Sequence, residues 1–190
     1  MNSQNIPLDK TRPSTVDGLF YPKISKELIQ VIEHLFAKVT LPSSLNNINV
    51  KALISPHAGY EYSGLTAAYG YKTLKNTKFT TAIIIAPSHF ARFYGAALTN
   101  LDYYQTPLGL IPINKQKTKI LLKSSLFTLN AEAQIIRPSW ASYTSNIKRI
   151  YNEDSHTWEH SLEVQLPFLQ YINPSLDIVP ILLTNISPYD

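Results

Sequence analysis

Residues 80–86 read Thr-Thr-Ala-Ile-Ile-Ile-Ala, a nearly unbroken apolar run of the kind a strand shows when both of its faces are covered. Upstream, residues 50–54 (Val-Lys-Ala-Leu-Ile) read as a second short strand. Between the two, residues 64–75 are rich in Ala, Leu and Tyr and read as a helix. Strand, helix and buried strand make a βαβ unit, whose right-handed crossover sets the strands parallel in one sheet. The expected fold class is therefore α/β, an open and largely parallel sheet with helices on both faces.

The remaining segments fit around that unit. Residues 12–22 hold Pro13, Gly18 and Pro22 with Phe20 and Tyr21 between them, which suits an irregular arm packed on the domain. Leu28, Ile29, Ile32, Leu35 and Phe36 follow helical spacing after Ser25, a candidate N-cap, and His34 reads as a surface residue of that helix. Short strands are expected at residues 95–98 and 134–136, and a turn into an extended piece at 106–112. Residues 115–126 make an amphipathic helix whose solvent face carries Lys115, Lys117, Lys119 and Lys123. After a polar and aromatic loop over 138–158, residues 161–172 read as a helix kinked or broken at Pro167, and 177–184 as the last strand.

With 190 residues, 44% hydrophobic and 16% charged, the chain suits one folded domain rather than two or a disordered segment. The net charge of +4 is scattered, without a basic stripe or nucleic-acid motif, so a nucleic-acid partner is not expected. Cysteine is absent, which excludes a thiolate ligand or nucleophile within these residues. There is no apolar stretch long enough for a membrane span and no signal-like N-terminus, so a cytoplasmic protein without membrane attachment is expected.

The chemistry-bearing residues gather at one expected sheet edge. His57 follows Ile54 by three residues and His89 follows Ala86 by three. A single βαβ unit would deliver both beyond the carboxyl ends of strands about 4.8 Å apart. There they could share one ion at roughly 2.0–2.1 Å each, or each could simply hold its own loop by a local hydrogen bond. The loop from Ser55 to Gly64 adds Gly59 and Tyr60, and the helix amides after it could receive an anionic group. Ser88 lacks the G-x-S-x-G setting of a hydrolase nucleophile.

His156-Thr157-Trp158-Glu159-His160 matches H-x-x-E-H, which on a helix would make a zinc hydrolase the lesser alternative. Glu159 and His160 alone suggest another role, His160 moving a proton while Glu159 fixes its tautomer. An ordinary charge cluster at a helix start explains the same residues. Tyr60, Ser88 and His156 complete the candidate site as substrate contacts.

Five ordered blocks resemble the Memo-like family, whose bacterial members are termed AmmeMemoRadiSam system protein B. They are the arm Arg12-Pro-Ser-Thr-Val-Asp-Gly-Leu-Phe-Tyr-Pro22, Ser55-Pro-His-Ala-Gly-Tyr-Glu-Tyr-Ser-Gly64, Ala86-Pro-Ser-His89, Thr106-Pro-Leu-Gly109 and the stretch from His156 to Gln170. The resemblance implies a fold like that of LigB-type class III extradiol dioxygenases, with His57 and His89 as metal ligands and iron or copper as the metal. It implies that residues 1–190 form a single Memo-like domain matching the N-terminal two thirds of the family's. Members continue past the strand at 177–184 with further ligands, often including a cysteine, so the site here is expected to be incomplete. Two functions follow as expectations: a metal-dependent redox or dioxygenase-related enzyme acting on a small molecule, or a non-catalytic module that binds a peptide or small anion in the same pocket. Nothing in the residues indicates an oligomeric state.

Overall fold

The computed structural model describes residues 8–45, 48–129, 133–142 and 153–184. In chain order these form β1 (Thr11–Arg12), α1 (Ser25–Lys38), α2 (Tyr60–Thr73), β2 (Thr81–Pro87), β3 (Ala91–Arg92), β4 (Ala96–Leu98), β5 (Tyr103–Thr106) and β6 (Gly109–Pro112). They continue with α3 (Lys115–Leu121), β7 (Phe127–Leu129), β8 (Gln134–Ile135), α4 (Leu166–Ile172) and β9 (Asp177–Leu183). The main sheet has the order β2-β9-β4-β7. Its β2–β9 and β4–β7 pairs are parallel and its β9–β4 pair antiparallel. A second sheet, β1-β5-β6, and the β3–β8 ladder flank it.

The alternation in β9 explains the layers. Ile178 and Leu182 join Ala97 in a core formed with Leu28, Ile32 and Phe36 of α1, Ala67, Ala68 and Tyr71 of α2, and Phe168 and Leu169 of α4. Val179 and Ile181 face the other way, onto Ala96, Leu98 and the apolar side of α3 and its exit, Leu121, Leu122 and Leu126. Helices thus cover both faces, as expected of an α/β fold, and each fully buried Leu, Ile or Phe stabilises it by about 1.5–3 kcal/mol. No helix among the described residues is long and apolar enough to cross a membrane.

The structure corrects four local expectations. Residues 50–54 are not a strand: they run beside β2 across a cleft of about 420 Å³ lined by Leu53, Phe79 and Ile84, and no ladder bonds form. β2 is consequently paired only with β9 among the described residues. Its register sets Ile83 beside Val179 and Ile85 beside Ile181, so both isoleucines lie on the α3 face. That helix packs on β9, and they remain 59% and 62% exposed, so β2 is covered on one face only. Ser25 begins α1 without capping it, since Ile24 occupies the cap position and no side-chain bond is made there. Pro167 sits in the first turn of α4, where its missing N–H costs nothing, rather than kinking a longer helix. The loop expected over 138–158 falls partly outside the described residues.

Candidate metal centre

Three histidines converge at the carboxyl end of β2. His89 arrives directly from that strand, two residues beyond its last residue, Pro87. His57 does not arrive from a strand; its loop is anchored by the start of α2, where the Tyr60 amide donates to the Phe20 carbonyl at 2.7 Å. His160 comes from the buried segment ahead of α4. The ring centroids are 5.2 Å apart for His57 and His89, 4.7 Å for His89 and His160, and 5.9 Å for His57 and His160.

Residues 159–165 tie these loops together. The Glu159 carboxylate accepts from the His89 amide at 2.5 Å, the His89 Nδ1 at 2.9 Å and the Ser161 amide at 2.9 Å. Ser161 Oγ donates to the Pro87 carbonyl at the end of β2, and Gln165 Nε2 donates to the Pro56 carbonyl beside His57. Tyr71 OH in turn donates to Gln165 Oε1. One segment therefore fixes all three histidine carriers, which explains why the site survives the loss of the expected strand at 50–54.

The electrostatics favour ligands ready for a cation. Burial raises the Glu159 pKa, but the His89 and Ser161 amides and the His89 ring outweigh it and hold the carboxyl below its ordinary value. An ionised carboxylate only accepts, so His89 Nδ1 carries the proton of this bond and Nε2 is the nitrogen left unclaimed by Glu159. His160 is lowered to about 4, chiefly by burial and also by His89 and His57, against the pull of Glu159. His57 is lowered as well, by burial and then by His89. Both rings are therefore neutral near pH 7. His160 Nδ1 is 3.5 Å from Glu159 Oε1, but the geometry makes no hydrogen bond, and this buried nitrogen finds no partner among the described residues.

One nitrogen from each ring lies within 4.8 Å of the other two. Ligands at 2.0–2.1 Å from a tetrahedral ion lie about 3.4 Å apart, so modest ring movements close the set. The donors fit a divalent transition metal: three imidazoles, one with its far nitrogen held by a carboxylate. Beside the cluster, a hollow of about 600 Å³ is walled by Leu19, Phe20, Pro56 and Tyr62 and opens on His57 and His160. Phe20, Phe90 and Trp140 pack around the His160 ring.

The other sequence candidates are placed differently. His156 is fully buried, with Nε2 on the Ala97 carbonyl at 3.1 Å and Nδ1 on Tyr104 OH at 2.7 Å. Since a carbonyl only accepts, Nε2 donates and Nδ1 accepts from the tyrosine. Burial lowers the pKa of His156, and neither nitrogen is free for substrate or zinc. The H-x-x-E-H residues also lie ahead of α4 in no helix, so the hydrolase geometry is missing. Tyr60 is likewise buried, its hydroxyl donating to the Val164 carbonyl and pushed well above its ordinary pKa by burial. Ser88 Oγ closes its own turn by donating to the Ala91 carbonyl. These three expected substrate contacts serve the scaffold. Ser161 and Gln165 escaped the sequence reading because nothing in their spacing reveals which loops they meet.

A family model described as Memo-like protein matches residues 12–189. The chain belongs to the Memo-like family. A MEMO1 family protein of Thermotoga neapolitana is 35% identical over 185 residues, covering 93% of this chain and 59% of the relative. Those of Nitrosopumilus maritimus and Methanobrevibacter smithii are each 33% identical, covering 90% of this chain and 56% of the relative. The chain thus spans under two thirds of the length of these Memo-like relatives.

Proposed function

We propose that this Memo-like chain is a metal-binding protein in which His57, His89 and His160 hold one iron or copper ion, related in chemistry to non-haem redox enzymes. The observation that carries the reading is the convergence of three imidazole nitrogens within 4.8 Å, beside a carboxylate that fixes the tautomer of one of them. Imidazole suits iron, copper and zinc alike, and the preference for the first two rests on the family resemblance. When bound, such an ion supplies a Lewis-acid and one-electron redox centre with coordination positions left for a small molecule.

The chain's own residues do the rest. Glu159 keeps His89 Nδ1 protonated so that Nε2 faces the ion, and burial keeps His57 and His160 neutral so that protons do not compete at neutral pH. Phe20, Phe90 and Trp140 exclude water from one side of His160. The apolar hollow by Leu19 and Tyr62 receives the organic part of a ligand. His160 is thereby read as a third ligand in place of the proton carrier expected from sequence.

Metal content after anaerobic loading with iron(II), copper or zinc tests this. One ion per chain is expected, lost on His57→Ala or His89→Ala and weakened on His160→Ala. A His160→Ala variant that keeps wild-type affinity returns His160 to proton transfer. A wild type that takes up none of the three metals removes the enzyme reading and leaves a binding module that uses the hollow alone.

A further inference from the structure

The arm at residues 12–22 is far more deeply engaged than a packed loop requires. Arg12 is fully buried, and all five of its N–H donors are used. Nε donates to the His156 carbonyl at 3.1 Å. One terminal nitrogen donates to the Pro13 carbonyl at 3.0 Å and to Glu163 Oε2, and the other to Thr15 Oγ1 at 3.1 Å and the Glu159 carbonyl at 2.6 Å. Glu163 is buried with it and also accepts from the Thr15 and Val16 amides and from Tyr21 OH. Burial works against the guanidinium charge, but Glu163 and neighbouring groups outweigh it and hold the arginine above its ordinary pKa.

The ion pair with Glu163 accounts for the arm's attachment. It does not account for the two carbonyls. His156 and Glu159 carbonyls bracket the turn that delivers the site, and the second belongs to the peptide plane joining Glu159 to His160. Fixing that plane fixes the directions in which both side chains leave the backbone. A planar fork can satisfy a carboxylate and two carbonyls at once, which a lysine ammonium on a flexible stem cannot reproduce.

We infer that Arg12 is a positioning residue of the histidine centre, acting through the backbone to hold Glu159 against His89 and His160 beside them. The inference rests on the metal-centre reading for its purpose, but its geometric claim can be tested without metal. Arg12→Lys keeps a cation near Glu163 and loses the double carbonyl grip. Tyr21→Phe removes one bond from the same buried cluster and leaves that grip intact, so it serves as the structural control. Should Arg12→Lys not fold, Arg12→Met with Glu163→Gln removes both buried charges while the Gln oxygen can still accept from the Thr15 and Val16 amides and Tyr21 OH.

Two readouts decide the matter. In metal-free protein near neutral pH, nitrogen NMR of the His89 ring should report a protonated Nδ1 in wild type and Tyr21→Phe, and mixed tautomers in the Arg12 variant. Cobalt(II) titration should give binding about tenfold to hundredfold weaker in the Arg12 variant than in Tyr21→Phe, the loss typical of disturbed outer-shell support. An unchanged His89 tautomer together with cobalt affinity equal to that of Tyr21→Phe overturns the inference while the metal centre stands. A wild type that binds no cobalt, with the tautomer still lost in the Arg12 variant, overturns the metal reading and keeps the positioning role.

Discussion

His156 and His160 lie four residues apart on one buried segment, yet their surroundings assign them opposite tasks. His156 has a donor on one nitrogen and an acceptor on the other, Tyr104 and Ala97, and no face toward solvent. His160 has a buried nitrogen without a hydrogen-bond partner among the described residues and two more imidazoles pressed against it. A satisfied polar side chain stabilises a fold, whereas imidazoles crowded around an unpartnered ring nitrogen leave a place for a cation. The motif H-x-x-E-H suggests equivalence between the two histidines, and the structure separates them.

The largest effects should come from exchanging their roles by mutation. His156→Ala leaves Tyr104 OH and the Ala97 carbonyl buried without partners and opens a cavity. It is expected to cost about 2–5 kcal/mol of stability, read by urea denaturation, with metal uptake per folded molecule unchanged. His160→Ala should weaken metal binding and cost less stability than His156→Ala, since it loses packing on Phe20, Phe90 and Trp140 but leaves no buried hydrogen-bond partner behind. If both variants lose stability equally and metal equally, the contrast between them fails.

Glu159→Gln sharpens the comparison from the side of the carboxylate. It removes the charge that fixes the His89 tautomer, and is expected to weaken metal binding by about tenfold to hundredfold. Isothermal titration with zinc checks this, and wild-type affinity would mean that Glu159 serves only the Ser161 and His89 amides.

The smallest effect is a pH dependence of the metal-free protein. His160 has a folded pKa of about 4 against an ordinary 6.5, so the unfolded chain binds more protons between these values. Stability is therefore full above pH 6.5 and falls as the pH drops toward 4, with His57 and His156 adding in the same direction. His160→Gln should flatten part of that slope in denaturation curves measured across the window. A slope unchanged by this variant would show that His160 is not held neutral by its surroundings.

Sequence made the layers legible where apolar periodicity was strong. β2, β9, α1 and the helix leading to β9 were all visible, because core burial writes itself into spacing. It misled at residues 50–54, where the apolar pattern is present but no strand pairs with it, and at Ile83 and Ile85, where the neighbouring strand is covered but β2 is not. The pairing of His57 with His89 was legible from their equal distance to two expected strands, though one of those strands is absent and the loop anchors of Tyr60 and Gln165 do its work. His160 was legible as a candidate site residue, a proton carrier beside Glu159, but its meeting with His57 and His89 as a third imidazole was not, since a loop residue far along the chain carries no periodic signal of what it meets. Arg12 stood inside a recognisable block, but its five bonds depend on carbonyl directions that no sequence displays.

The most direct test is X-ray absorption on protein loaded with one equivalent of zinc, whose outer-shell scattering counts bound imidazole rings. Three imidazoles with nitrogen at about 2.0–2.1 Å are expected, falling to two in His160→Ala and staying at three in any His156 variant that folds. A first shell of oxygen alone, or an imidazole count that drops with His156 and not with His160, would contradict the account.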